Sequence, residues 1–180
     1  MRELYQVWSS SLSPEQVDKV TSAALSQQAQ EATIFSPTET TRDIRRCTVR
    51  WLPDPWVKAL LWPYIRQANE NGFNIDVDNR AEMQFTEYCA EQGGHYGWHH
   101  DVQWNGQAAS DRKLSITVQL SAPDEYEGGD FEFDEVHTNA DFKSRGTVLV
   151  FPSYLRHRIR PVISGNRRAL IAWFYGPRWR

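Results

Sequence analysis

His99 and Asp101 are the residues of this chain best placed to do chemistry, an imidazole and a carboxylate two positions apart in Gly94-His95-Tyr96-Gly97-Trp98-His99-His100-Asp101. In an extended segment alternate side chains share a face, so these two point the same way with Cα atoms about 6.5–7 Å apart. An imidazole nitrogen and a carboxylate oxygen can then meet at one metal ion, while His100 faces the other side. Two protein ligands rarely hold a metal, and a third must come from elsewhere. Three histidines remain. His95 is four residues upstream and competes for the same space, and His137 sits among the polar residues 135–141 and reads as a solvated loop residue. His157 lies in Phe151-Pro152-Ser153-Tyr154-Leu155-Arg156-His157-Arg158-Ile159, between two expected strands, and is the best third ligand if its strand returns beside that of His99.

Two imidazoles and one carboxylate on one side of a metal form a facial triad with open positions, the arrangement of non-haem Fe(II) oxygenases. A His-x-Asp pair alone is weak evidence and is more often structural. Arg167, ten residues after His157, strengthens it, since along an adjacent strand it could reach back and hold a carboxylate with both arms of its guanidinium. The plainer reading of a strand arginine, a solvated or salt-bridged one, suits Arg168 on the opposite face.

The elements that position these residues are legible in part. Residues 3–8 read as a short opening strand. Ser13-Pro14-Glu15-Gln16 combines an N-cap, a proline at the first helical position and a capping-box glutamine, and Val17, Val20, Ala24 and Leu25 share a face, predicting a helix to about residue 28. Asp54-Pro55 repeats the device. Trp56, Leu60, Leu61, Tyr64, Ile65 and Ala68 then recur at helical spacing until Gly72, which is expected to end the helix. From Ala81 the pattern turns to β. Residues 83–88 alternate, and residues 113–121 set Leu114, Ile116, Val118 and Leu120 on one face. Segments 131–133, 147–151, 156–162 and 168–175 follow between turn residues, a series that predicts an antiparallel sandwich or barrel. The polar stretch 36–46 reads as a surface loop or, more sharply, a flap over a bound substrate. Residues 103–110 could form a second lid.

Composition bounds the alternatives. The 180 residues suffice for one domain with a real core. A net charge of −3 argues against nucleic acid as partner, although arginines gather late in the chain. Cys47 and Cys89 are the only cysteines, which disfavours a disulfide framework or a cysteine-based zinc site. No apolar run reaches membrane-spanning length and the N-terminus shows no apolar leader, so a cytoplasmic protein is expected.

The motifs also resemble a known family. His95-Tyr96-Gly97-Trp98-His99-His100-Asp101, the stretch from Arg112 to Pro123, Tyr126-Glu127-Gly128-Gly129-Asp130-Phe131, Phe151-Pro152-Ser153 and the run from His157 to Arg167 with Trp173 behind it occur in this order over residues 83–175. Together they resemble the iron- and 2-oxoglutarate-dependent dioxygenases of the prolyl 4-hydroxylase type, in particular the bacterial PKHD-type hydroxylases. The resemblance implies a mainly β fold, a double-stranded β-helix (a jelly roll, cupin-like) with two N-terminal helices packed on the major sheet. The chain would be a single domain over 1–180, with a helical support region at 1–80 and the β core at 81–176. It implies His99, Asp101 and His157 as iron ligands, Arg167 as the partner of the distal carboxylate of 2-oxoglutarate, and Tyr88 as a further cosubstrate contact. Gln119 stands where animal-type hydroxylases often carry a tyrosine, with Thr117 as a substitute on the same face. Tyr96, Arg112 and Trp173 match positions lining the groove for a target proline.

The implied reaction is hydroxylation of a peptidyl proline, as in procollagen-proline 4-dioxygenases. It uses Fe(II), 2-oxoglutarate and O₂, with L-ascorbate as reductant, and releases succinate and CO₂. The implied partner is a proline-containing peptide or protein, with no nucleic acid and no membrane. Oxidation of a free amino acid or other small metabolite is the alternative. Nucleic-acid demethylation of the AlkB type needs a second arginine six residues after the first, where this chain has Trp173 or Phe174. A non-catalytic cupin-like module would be expected to lack a ligand or the cosubstrate arginine, and His99, Asp101, His157 and Arg167 are all present.

Overall fold

A computed structural model of the chain describes residues 4–34, 41–104 and 106–180. Its elements in order are β1 (Gln6–Trp8), α1 (Pro14–Leu25), β2 (Gln30–Glu31), α2 (Thr41–Ile44), β3 (Arg45–Arg46), β4 (Thr48–Trp51) and α3 (Pro55–Ala68). Then come β5 (Ala81–Cys89), β6 (His95–His99), β7 (Ser110–Gln119), β8 (Tyr126–Gly128), β9 (Phe131–Phe133), β10 (Val148–Pro152), β11 (His157–Ile159) and β12 (Val162–Pro177).

Local chemistry accounts for the helices. At α1 the Ser13 hydroxyl accepts from the Gln16 amide at 3.3 Å, and the Ser13 amide donates to Gln16 Oε1 at 2.9 Å, a complete capping box. The helix ends at Leu25, short of residue 28, where the Ser26 amide closes onto Ser22 and Ala24. Asp54 caps α3 with its backbone alone. Its side chain makes no cap bond, and its Oδ2 is buried without a partner. Gly72 does not end this helix. After Ala68 the chain widens into a π-helical turn over Asn69–Phe73, and Asn74 takes the left-handed position at φ 49°. Asn69 locks that exit, its side chain bonding both the amide and the carbonyl of Ile75 at 2.8 and 2.9 Å.

The strands form two antiparallel sheets. The larger runs β1-β10-β7-β12-β5-β4-β2 with β8 added beside β12, and the smaller runs β3-β6-β11-β9. Strand alternation sorts the larger sheet's side chains into two populations. Met83, Phe85, Leu114, Ile116, Val118, Val148, Val150, Leu170, Ala172 and Phe174 share one core with Val17, Val20 and Ala24 of α1 and Val57, Leu61 and Ile65 of α3. The other face carries Gln84, Tyr88, Ser115, Thr117, Gln119, Phe151, Arg167, Ile171 and Trp173 toward the smaller sheet. This is the expected mainly β jelly roll with two helices on its major sheet. No helix among the described residues is long and apolar enough to cross a membrane.

Of the stretch 36–46 expected as a loop or flap, residues 36–40 lie outside the described residues. The rest is not a surface loop: residues 41–44 form α2, and Arg45–Arg46 form β3, paired with His95 and Tyr96 of β6.

Candidate metal and cosubstrate site

His157 is the register partner of His99, across the β11–β6 pair. Asp101 is not on the strand as the alternation argument expects. It lies two residues beyond the end of β6, where its amide donates to the Ser153 carbonyl at 3.0 Å. The bend still delivers the carboxylate to the imidazoles: His99 Nε2 is 3.6 Å from Asp101 Oδ1, and His157 Nε2 is 3.7 Å from Asp101 Oδ2. One ligand atom from each of the three residues lies within 4.8 Å of the others.

The surroundings set protonation and aim. His99 Nδ1 faces the Gly97 carbonyl at 2.9 Å and His157 Nδ1 the Leu155 carbonyl at 2.9 Å. A carbonyl only accepts, so each Nδ1 carries a proton, and Nε2 is the ring nitrogen that each imidazole turns toward Asp101. Burial, then the neighbouring His157, pushes the His99 pKa down to about 3, which keeps this imidazole neutral. Burial of Asp101 opposes ionisation. His157, His99 and the Ser115 hydroxyl outweigh it and hold the carboxyl below its ordinary value. Ser115 Oγ donates to Asp101 Oδ2 at 2.6 Å and contacts Ser153 Oγ at 2.9 Å, fixing the carboxylate from behind. The Tyr96 ring lies flat on His99 at 3.4 Å between centroids, and Phe131 and Phe151 pack against His157 at 5.4 and 4.8 Å. Two imidazole nitrogens and a carboxylate oxygen, held by outer hydrogen bonds, are a donor set that fits Fe(II).

Arg167 lines the same cavity. It is 4% exposed, and no carboxylate and no hydrogen-bond acceptor among the described residues satisfies its guanidinium. Tyr88, its register partner on β5, places its ring 5.7 Å from Cζ. Burial raises the pKa of the Tyr88 phenol, so this residue offers a neutral hydroxyl. Gly129, at φ +59°, leaves room for the arginine: a Cβ there would come 2.9 Å from Arg167 Cδ. A buried cation without an anion is costly unless a ligand supplies one, and the distal carboxylate of 2-oxoglutarate suits it.

The other expected residues divide. Thr117, Tyr96 and Trp173 line the cavity, and the indole Nε1 of Trp173 is buried without a partner. Gln119 turns partly away: its Nε2 donates to the Ser121 carbonyl and Tyr126 Oη at 3.1 and 3.0 Å, while its Oε1 is buried and unpaired beside a smaller void shared with Thr117 and Arg167. Arg112 lies behind the wall, its guanidinium 3.8 Å from the Trp173 ring centroid and 2.8 Å from Glu82. His95 faces the carbonyls of Gly93 and Asp43, and His100 the Tyr154 carbonyl, all away from the cluster.

Sequence reasoning missed Arg45, Gln84, Ser115 and Ser153. The polar members of β5 and β7 left a signal, since Gln84-x-Thr86-x-Tyr88 and Ser115-x-Thr117-x-Gln119 are polar stripes set against the apolar stripes Met83-x-Phe85 and Leu114-x-Ile116-x-Val118. Arg45 left none.

The 2OG-Fe(II) oxygenase superfamily matches this chain over residues 83–175, a little more than half of its length. The chain belongs to that superfamily, whose cofactors are Fe(II), 2-oxoglutarate and O₂. Within it, the chain is similar to bacterial PKHD-type hydroxylases, among them that of Hyphomonas neptunium, at 36% identity over 88 residues, 47% of this chain and 39% of that protein. The match spans about two-fifths of the length of the curated relatives. In fold, the chain is similar to a Pseudomonas putida prolyl-4-hydroxylase, with a TM-score of 0.71 at 20% identity over 97% of this chain and 93% of that one. It is likewise similar to a Trichoplax adhaerens prolyl hydroxylase in complex with a hypoxia inducible factor peptide fragment, with a TM-score of 0.75 at 15% identity over 96% and 84%.

Proposed function

We propose that this protein is a 2-oxoglutarate-dependent dioxygenase that hydroxylates a peptidyl proline, with His99, Asp101 and His157 holding Fe(II) and Arg167 holding 2-oxoglutarate. The observation that carries the reading is the coincidence in one buried cavity of a two-histidine, one-carboxylate cluster and a guanidinium that has no anion of its own among the described residues. The likeness to prolyl hydroxylases supports proline as the target, and the peptide bound to the Trichoplax protein supports a chain segment as its carrier.

When bound, Fe(II) would supply the activation of O₂, one oxygen atom going to the oxidative decarboxylation of 2-oxoglutarate to succinate and CO₂ and the other to hydroxylation of a substrate C–H bond. The protein's own residues prepare the site. His99 and His157 aim Nε2 at the metal position because the carbonyls of Gly97 and Leu155 accept hydrogen bonds from Nδ1–H. Ser115 orients Asp101, and Arg167 with Tyr88 fixes the distal end of the cosubstrate. Phe131, Phe151, Ile159 and Ile171 keep water from the reacting centre. Tyr96 and Trp173 form the walls against which the proline ring packs, Arg112 buttresses Trp173, and L-ascorbate is the expected reductant.

The test is succinate formation from 2-oxoglutarate against a panel of proline-rich peptides and free L-proline, with His157→Ala as control. Turnover with peptides that is lost in the variant supports the reading. Turnover of free proline alone moves the substrate to the small-metabolite class, and activity that survives the His157 change removes the proposed centre.

A further inference from the structure

Arg45 is a second buried guanidinium on the wall of the same cavity, and nothing above gives it work. It is 9% exposed and sits on β3 as the register partner of Tyr96, three residues before His99 on β6. Among the described residues its donors meet neutral acceptors only: Nη2 reaches Gln84 Oε1 at 2.7 Å, Nη1 the Thr33 carbonyl at 3.3 Å and Nε the Cys47 sulfur at 3.2 Å. The Tyr96 ring lies 4.5 Å from Cζ. Burial pushes Cys47, Tyr88 and, to about 12, Tyr96 up from their ordinary pKa values, so none of them supplies negative charge near neutrality.

The cavity is therefore unbalanced. Among the described residues Asp101 is the sole carboxylate on its wall, against two guanidinium groups. When the site is loaded, the two charges of Fe(II) and the two of 2-oxoglutarate cancel and Asp101 offsets Arg167. The charge on Arg45 is left over, in an enclosed space where charges are weakly screened. Trp173 Nε1, a buried donor without an acceptor on another wall of this cavity, points the same way. The cavity is over-supplied with donors and positive charge, so its occupant must bring acceptors and negative charge.

We propose that Arg45 is a specificity-determining residue and that the substrate presents a carboxylate to it. The carboxylate belongs either to an acidic side chain flanking the target proline in a peptide or to the substrate's own main chain in a free amino acid. This inference rests on the oxygenase reading above and narrows its substrate. Desolvated, charge-assisted pairing distinguishes an acid from its uncharged amide by about tenfold to a hundredfold.

The experiment measures succinate formation with matched substrate pairs: peptides with Asp or Asn beside the proline, the same peptides with valine in place of proline, and L-proline against L-prolinamide. Each pair is run with the wild type, Arg45→Lys and Arg45→Gln. The expected result is a wild-type kcat/KM about ten- to a hundredfold higher for the acid member, carried by KM. Arg45→Lys keeps the preference, and Arg45→Gln reduces it to about threefold or less. The pair that shows the preference identifies the source of the carboxylate. Equal turnover of acid and amide by the wild type overturns the proposal while leaving the prolyl reading intact, as does a preference that Arg45→Gln leaves unchanged. Acid preference on the valine peptides sustains the proposal and removes proline from the function. No turnover of any member overturns both. The wild-type comparison stands even if Arg45→Gln fails to fold.

Discussion

Replacing Arg167 by methionine should move stability and cosubstrate affinity in opposite directions. The guanidinium is 4% exposed and unmatched by any carboxylate among the described residues, so the ligand-free fold carries the desolvation cost of that charge. Methionine keeps much of the stem that passes Gly129 and removes the charge, and we expect a gain of about 1–3 kcal/mol without ligand. For a chain of this size each kcal/mol raises Tm by about 2–4 °C. The cosubstrate suffers the reverse. A two-pronged contact to its distal carboxylate comprises two charge-assisted hydrogen bonds at about 1.5–3 kcal/mol each, so their loss should weaken 2-oxoglutarate binding by about two to four orders of magnitude. Calorimetric melting of wild type and Arg167→Met, each with and without 2-oxoglutarate in the presence of Fe(II) under anaerobic conditions, reads both effects. The variant should melt higher than the wild type alone and show no ligand-induced rise. A variant that melts several degrees lower and still gains Tm from 2-oxoglutarate would make Arg167 a structural residue and not the partner of the cosubstrate.

Three further outcomes follow from the same geometry. Ser115→Ala removes the 2.6 Å bond to Asp101 Oδ2, and a chelator-competition titration should show metal affinity about tenfold to a hundredfold weaker. Leu170→Ala opens a cavity at a fully buried position of β12 between sheet and helices, and chemical denaturation should register a loss of about 2–5 kcal/mol. The folded pKa of His99 lies near 3, below its ordinary 6.5, so as pH falls through 6.5 the unfolded chain takes up a proton that the native state refuses. Metal-free stability should thus be fully present above pH 6.5 and decline toward pH 3 at up to about 1.4 kcal/mol per unit relative to His99→Leu, and denaturation curves that run parallel for the two proteins would count against it. The Asp101 contribution is lost only at lower pH, since its folded pKa lies below the ordinary carboxylate value.

What could be read from the sequence, and what could not, divides by the range of the forces involved. Ser13 and Gln16 make their capping box within four residues, so α1 was legible at its start. The end of α3 was not: Gly72 is the stronger local signal, yet Asn69 holds Ile75 and Asn74 takes the turn. At the site, the alternation argument expected His99 and Asp101 on one strand, whereas the Ser153 carbonyl sets Asp101 beyond the strand's end. The carboxylate still meets both imidazoles because the β6–β11 pairing brings His157 opposite His99. Arg45 was illegible for a physical reason. It sits in a polar run whose composition reads as loop, and its burial comes from a two-residue pairing with β6 and a bond to Gln84, 39 residues away. Only the tertiary fold makes it a wall of the cavity.

If the proposed function holds, one cavity binds a metal through His99, Asp101 and His157 and 2-oxoglutarate through that metal and Arg167. Isothermal titration of 2-oxoglutarate into the protein under anaerobic conditions, with and without Fe(II), tests it most directly. The expected result is one site per chain that requires Fe(II) and is lost in both Asp101→Ala and Arg167→Met. Binding of equal strength without the metal, or binding that survives either substitution, would contradict it.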